Sequence, residues 1–210
     1  MSLSPFKYAK EKKYLALHVD TTGLNFDGYD VTKGFDIVSI CLMVCDLKFN
    51  VLDHVVLYNS SVNESDLQNS TQYHGITRAV LDEMGMEEQE FVAEIASFII
   101  DHFCPEDYDV EDEYYSPIKC IGHNIGTFSL PFLTALLDKH SLPINFSTNV
   151  LDTHSVLIPT VGDLTLNQLI EIFGDDPEDD VYSDTYYKCK VFINIFKRIR
   201  KLWIKKVLSE

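Results

Sequence analysis

The spacing of apolar and polar positions changes along this chain, and the change marks out its elements. Tyr14-Leu15-Ala16-Leu17-His18-Val19 is a short apolar run that Thr21-Thr22-Gly23 breaks, the pattern of a buried strand. Ile37 to Cys45 is a second run, rich in β-branched residues, and Val51 to Tyr58 is a third. The short connections, with Asp46 and Asn50, predict an antiparallel meander. Steps of three and four then take over. Glu87 to Phe103 puts Phe91, Ile95, Phe98, Ile99 and His102 on one helical face. Ile118 to Gly122 reads as a short strand, Ser129 to His140 as a helix, and Asn149 to Thr153 as another strand. Asp163 to Gly174 reads as a helix with an Asp or Thr cap and a glycine stop, and a last helix is expected from near Ser183 through Lys206. The acidic segments 101–115 and 175–184 read as loops. Strands that come first and then alternate with helices indicate an α/β domain with a mixed sheet flanked by helices.

Composition narrows the class. With 210 residues, 46% hydrophobic and 24% charged, the chain is one large domain or at most two small ones, with an ordinary globular core. No apolar run approaches the roughly 18 residues of a membrane span, and no signal core follows Met1, so a cytoplasmic, intracellular protein is expected. The net charge of −16 excludes nonspecific, charge-driven binding to nucleic acid over the whole surface. Cys41, Cys45, Cys104, Cys120 and Cys189 are odd in number and form no CxxC pair, which points to free thiols in a reducing compartment.

Several short motifs then fall into one order. Leu17-His18-Val19-Asp20-Thr21-Thr22-Gly23-Leu24 resembles the first motif of the DEDD-type 3′-5′ exonucleases, which include ribonuclease T and the proofreading subunit of bacterial DNA polymerase III. Tyr73-His74-Gly75-Ile76-Thr77 resembles the family's turn between the meander and its first helix. Gly122-His123-Asn124 with the following Phe128-Ser129-Leu130 resembles the second motif. Val150-Leu151-Asp152-Thr153 resembles the next strand end, and Thr165-Leu166-Asn167-Gln168-Leu169 the helix before the third motif. The resemblance covers about residues 14–196 and implies a ribonuclease H-like α/β fold.

The family's chemistry carries over only in part. It uses four carboxylates to hold two divalent metals, which activate a water and stabilise the leaving oxygen, with a histidine as general base. Aligned on these motifs, His18 stands at the first Asp position, Asp20 at the Glu position, and Ser129 at the second-motif Asp position. The third motif has two registers. The favoured one puts Asp184 at the Asp position and Asp179 at the histidine position. The other, one helical turn on, puts Lys188 and Ser183 there. Neither supplies the general-base histidine. Asp20 and Asp184 are thus the candidate catalytic residues, and Thr21, Thr22, Gly23, Leu24, His123 and Asn124 the candidate substrate contacts. His18, Asp20 and Asp184 form a candidate metal set suited to Mn²⁺ or Zn²⁺ rather than Mg²⁺. The plainer alternatives are a strand-end His18 bonded to Asp20, His123-Asn124 tying a strand end to a turn, and Ser129 as a helix N-cap.

The C-terminal stretch carries a further expectation. Lys188, Lys190, Lys197, Arg198, Arg200, Lys201, Lys205 and Lys206 are eight of the 17 basic residues, and Trp203 lies among them. Ile195, Ile199, Trp203 and Val207 recur every four positions as an apolar stripe. The domain plan is a polar basic segment over 1–13, an exonuclease-like domain over 14–196, and a basic helical extension over 197–210. Phe128, Phe132, Leu136, Leu166 and Leu169 are expected in the core. The expected function is a degenerate exonuclease-like pseudoenzyme that binds a protein or a single-stranded nucleic-acid end. It would need no cofactor, with Mg or Mn used only if the site still works. The rival expectations are a residual metal-dependent exonuclease and an acidic inhibitor of a nucleic-acid-binding protein. A homodimer is a further possibility that the sequence leaves open.

Overall fold

A computed structural model describes residues 12–25, 30–104, 117–174 and 184–207. In chain order the elements are β1 (Lys13–Thr21), β2 (Ile37–Asp46), β3 (Val51–Tyr58), α1 (Glu64–His74), α2 (Arg78–Met84), α3 (Glu88–Phe103), β4 (Cys120–Gly122), α4 (Ser129–Lys139), β5 (Leu151–Asp152), α5 (Thr153–Val161), α6 (Leu166–Phe173) and α7 (Asp184–Val207). The three long strands form the expected antiparallel meander, and β4 and β5 add in parallel, giving the order β3-β2-β1-β4-β5. The β2–β3 turn is held by Asp46, whose carboxylate accepts from the backbone N–H groups of Lys48 and Asn50.

Strand alternation gives β1 two different faces. Leu15, Leu17 and Val19 join Ile40 and Leu42 against α3 and α4, where Phe91, Ile95, Ile99, Phe132 and Leu133 complete one core. On the opposite face Ala16, Cys41, Met43 and Ile121 pack under α7, against Cys189, Phe192, Ile193 and Phe196. His18 and Asp20 follow Ala16 at two-residue steps, so they lie on the α7 face. All five cysteines are buried and none is joined in a disulfide. Burial with the neighbouring Asp46 pushes the Cys45 thiol up to about 12.

Several expectations are corrected. The His74-Gly75 turn does not precede the first helix but lies between two short ones, α1 and α2, which no long apolar stripe announces. The strand expected over Asn149–Thr153 is two residues long, because Thr153 already begins α5, with Asp152 accepting from the His154 N–H as its cap. Ser129 is not a cap: Phe128 occupies that position, and Ser129 is buried inside the first turn of α4. Phe132 and Leu169 are core residues, whereas Phe128, Leu136 and Leu166 are half-buried at its rim. Thr165 makes a capping box with Gln168 at the start of α6, and Gly174 ends that helix.

Helix α7 follows the expected last helix from near Ser183. It is one continuous helix, and its apolar stripe belongs to the domain itself through Ile195 and Ile199, which pack with Leu157, Leu169 and Val191. The Trp203 and Val207 side chains lie outside the described ones. Asn194 and Arg198, one turn apart, donate to the carbonyls of Phe173 and Ile172, so α7 supplies donors to the C-terminal end of α6.

Candidate functional site

The site forms where β1 leaves the sheet beneath the first turns of α7. Asp20 is buried, and both of its oxygens are engaged. Oδ1 accepts from Lys188 Nζ at 2.9 Å and from His18 Nε2 at 3.2 Å. Oδ2 accepts from Ser39 Oγ and Thr185 Oγ1, each at 2.8 Å. Ser39 is there because the antiparallel register sets it directly opposite Asp20. Its hydroxyl is also 2.9 Å from that of Thr185. Two hydroxyl hydrogens serve three short contacts, so one of the three always lacks a hydrogen.

Helix geometry explains the lysine. Lys188, Phe192 and Phe196 recur every four residues, on the face of α7 that meets the sheet. Lys188 is only 5% exposed and lies one turn before the buried Phe192. Asp184, one turn earlier again, has a side chain 56% exposed, and its carboxylate meets Lys188 Nζ at 2.6 Å. Of the two residues left open by the sequence, Lys188 is therefore the one that reaches Asp20. Asp179 and Ser183 lie outside the described residues.

Burial alone would raise the pKa of Asp20, and it is the largest single influence. The combined charge and hydrogen bonds of His18 and Lys188 outweigh it and hold the carboxyl well below the usual range. For Lys188, burial works toward neutrality, but Asp20 and Asp184 prevail and hold the ammonium above its ordinary value. Both partners are thus kept charged.

The candidate substrate contacts adjoin this centre. Thr21 Oγ1 donates to the Gly23 carbonyl, and the Asp36 N–H donates to Thr22 Oγ1, so both hydroxyls shape the exit from β1. Gly23, at φ 155°, faces the Phe35 ring so closely that a Cβ would stand 2.5 Å from it. Leu24 is half-buried. His123 and Asn124 tie β4 to β5 and α5: the Asn124 N–H donates to Asp152 Oδ1, and His123 Nδ1 lies 3.1 Å from Thr153 Oγ1. That hydroxyl donates to the Gly122 carbonyl, so Nδ1 carries the hydrogen. Burial and the nearby His154 and His18 hold His123 below its ordinary value, against the pull of Asp152 and Asp163. The Phe192 ring neighbours both histidines, with centroids 6.0 Å from His18 and 6.3 Å from His123.

His74 is a neighbour that the sequence presented only as part of a turn. Its Nδ1 accepts from the Ile76 N–H, so Nε2 carries the hydrogen and meets Ser70 Oγ at 3.1 Å. Burial holds it below its ordinary value, with Asp20 and Asp184 pulling the other way.

The donor set does not suit a divalent metal. Every Asp20 oxygen is committed to two partners, His18 Nε2 spends its hydrogen on Asp20, and an ammonium lies between Asp20 and Asp184. Among the described residues, no group of three or more His, Cys, Asp or Glu is arranged to hold a metal ion. The expected set of His18, Asp20 and Asp184 is therefore not a ligand set in this arrangement. Ser39 and Thr185 were missed; the signal for Ser39 is a lone hydroxyl within the apolar run Ile37–Cys45.

No family model and no curated protein matches this sequence. Solved structures do match its fold. E. coli exonuclease I, in a zinc-bound complex with single-stranded DNA, aligns at TM-score 0.63 and 15% identity over 91% of this chain and 41% of its own. Exonuclease I from Methylocaldum szegediense aligns at 0.60 and 13% identity over 90% and 40%. A product-bound exonuclease I aligns at 0.59 and 16% identity over 93% and 46%. The chain spans less than half the length of these proteins. No described helix is long and apolar enough to cross a membrane. The five-stranded mixed sheet with its flanking helices is the ribonuclease H-like fold of the exonuclease I structures.

Proposed function

We propose that this chain is an exonuclease-like protein that holds a single-stranded nucleic-acid end without cutting it. The observation that carries this reading is the buried Lys188–Asp20 pair at 2.9 Å, which commits the one carboxylate buried at the centre of the site to an internal cation. Hydrolysis on this kind of scaffold draws its rate from charge stabilisation by metal ions held between carboxylates, and a carboxylate bound by four protein donors has no oxygen to offer one. Ser129 brings a hydroxyl where another carboxylate would be needed. Binding requires less: the Thr21–Leu24 exit from β1 and the His123–Asn124 turn are the candidate surfaces for a strand end. The E. coli exonuclease I structure with single-stranded DNA supports a nucleic acid as the ligand.

The test is incubation of the chain with end-labelled single-stranded DNA and RNA in Mg²⁺ and then Mn²⁺, with binding read in parallel. The expected result is a retained complex and an uncut strand. Turnover that disappears in Asp20→Ala would overturn the reading.

A further inference from the structure

We propose that the cation stripe of α7, half-buried at Lys190 and Lys197 and exposed at Lys201 and Lys205, is a docking track for the phosphate backbone of a single-stranded nucleic acid, apart from the Asp20 site. The proposal rests on the nucleic-acid reading above and adds a second contact surface to it. Lys190, Lys197, Lys201 and Lys205 are separated by seven, four and four residues, so they fall on one face of α7. At 1.5 Å per residue the stripe runs about 22 Å, with successive cations about 6 Å apart over its second half. This face points away from the sheet, because Phe192, Phe196 and Ile195 occupy the opposite side. Arg198 is not part of it, because the Ile172 carbonyl and the Phe173 ring take its guanidinium, and Lys190 Nζ lies 5.8 Å over the Tyr186 ring, so Lys197, Lys201 and Lys205 carry the track.

The end of the helix leaves the domain. Lys201, Leu202, Ile204 and Lys205 are all exposed, Leu202 at 68% and Ile204 at 42%. Lys201 and Lys205 therefore place the last part of the stripe on an exposed stretch of the helix, about 6 Å from one to the other. Repulsion of a polyanion by the acidic rest of the molecule falls off over the Debye length, about 8 Å at physiological salt, so it weighs least at the exposed end of the stripe.

Charge selects the occupant. Residues 185–209 hold eight cations and no carboxylate, while the rest of the chain holds nine basic against 33 acidic residues. A second copy would bring its own strongly acidic body against this one, which opposes self-association. A phosphate chain can follow this row of lysines where the last 25 residues of the chain hold no carboxylate before Glu210. Ile204, beside Lys201 and Lys205, offers an apolar contact to a base face.

The test uses fluorescein-labelled dT20 and its RNA counterpart, with anisotropy read from 25 to 200 mM NaCl in EDTA, so that cleavage does not enter. The full chain is compared with Lys197→Gln/Lys201→Gln/Lys205→Gln, none of which is a core residue, with retention of the fold checked by circular dichroism. Each engaged cation contributes about 0.7 to the slope of log K against log salt on single strands. The variant should lose about 2 from that slope and bind at least about tenfold more weakly at the lowest salt. Equal affinity and slope in the two proteins, or no binding by the full chain, would overturn the proposal. Cleavage of the same probe once Mg²⁺ is added would overturn the non-cutting reading and leave the stripe standing.

Discussion

Lys188 and Asp20 form an ion pair of 2.9 Å in which neither side chain is more than 6% exposed. Each ion has lost most of its water and is compensated by the other, so the pair behaves as a unit. Removing one partner leaves a buried charge with fewer contacts, which typically destabilises by about 3–5 kcal/mol. Lys188→Met should show a loss of that size in urea denaturation. Lys188→Met/Asp20→Leu should lose clearly less than the sum of the single changes. Additive losses would mean that the pair is not coupled.

The same pair fixes a pH window. Asp20 is held below the ordinary carboxylate value, so its contribution is present above about pH 4 and fades as pH falls through its lower folded value. Lys188 is held above the ordinary ammonium value, so its contribution is present below about pH 10.4 and fades as pH rises through its higher folded value. The coupling energy from the double-mutant cycle should therefore be flat between these limits and shrink beyond both.

His74 gives a third expectation, of opposite kind for a histidine. Burial lowers its folded value, so the fold favours the neutral ring that accepts from the Ile76 N–H. Its contribution is present above about pH 6.5 and is lost as pH falls through the depressed value. Replacing it with Gln should flatten the stability profile as pH falls below about 6.5. An unchanged profile would show that His74 does not titrate with folding.

Divalent ions offer a direct check on the donor set. A metal at a hundred times its Kd would add about 2.7 kcal/mol of stability, which raises Tm by roughly 5–10 °C in a domain of this size. Neither Mg²⁺ nor Mn²⁺ should produce such a rise in the native chain. Lys188→Asp, which removes the ammonium and adds a carboxylate beside Asp20, should gain one with Mn²⁺. A rise in the native chain would show that Asp20 releases its donors to a metal.

Packing gives the fifth expectation. Phe132→Ala should cost about 3–5 kcal/mol because the ring is 3% exposed in the core under α4. Leu136→Ala, at the half-buried rim, should cost about 2 kcal/mol or less. Equal losses would contradict the placement of the two residues.

The meander, α3, α4 and the start of α6 were legible because each repeats an apolar residue at a period that only one kind of element satisfies. The short helices α1, α2 and α5 were not. Leu67, Ser70 and His74 form the buried side of α1, and two polar residues among three leave no hydrophobic stripe to read. The site was half legible. Asp20 and the glycine turn could be found from local motifs, and the two registers of α7 placed Asp184 and Lys188 on one helical face. Deciding between them required the distance from helix to sheet, which local spacing does not contain. Ser39 and Thr185 come from strands and helices far apart in sequence, and their meeting at one carboxylate oxygen is a product of tertiary packing alone.

One face of the sheet is roofed by α7, and this sets the order in which the molecule can mature during synthesis. The meander emerges early and its pairings are local, yet Ala16, Cys41 and Met43 meet Cys189, Phe192 and Phe196 only across 140 residues or more of later chain. Until those residues leave the ribosome, that side of the nascent sheet stays uncovered, and Asp20 has neither Thr185 nor Lys188 to meet it. Such contacts of high sequence separation form late and slowly. The buried charge pair would then close as one of the last events of folding, after the apolar strands beneath it have stood uncovered.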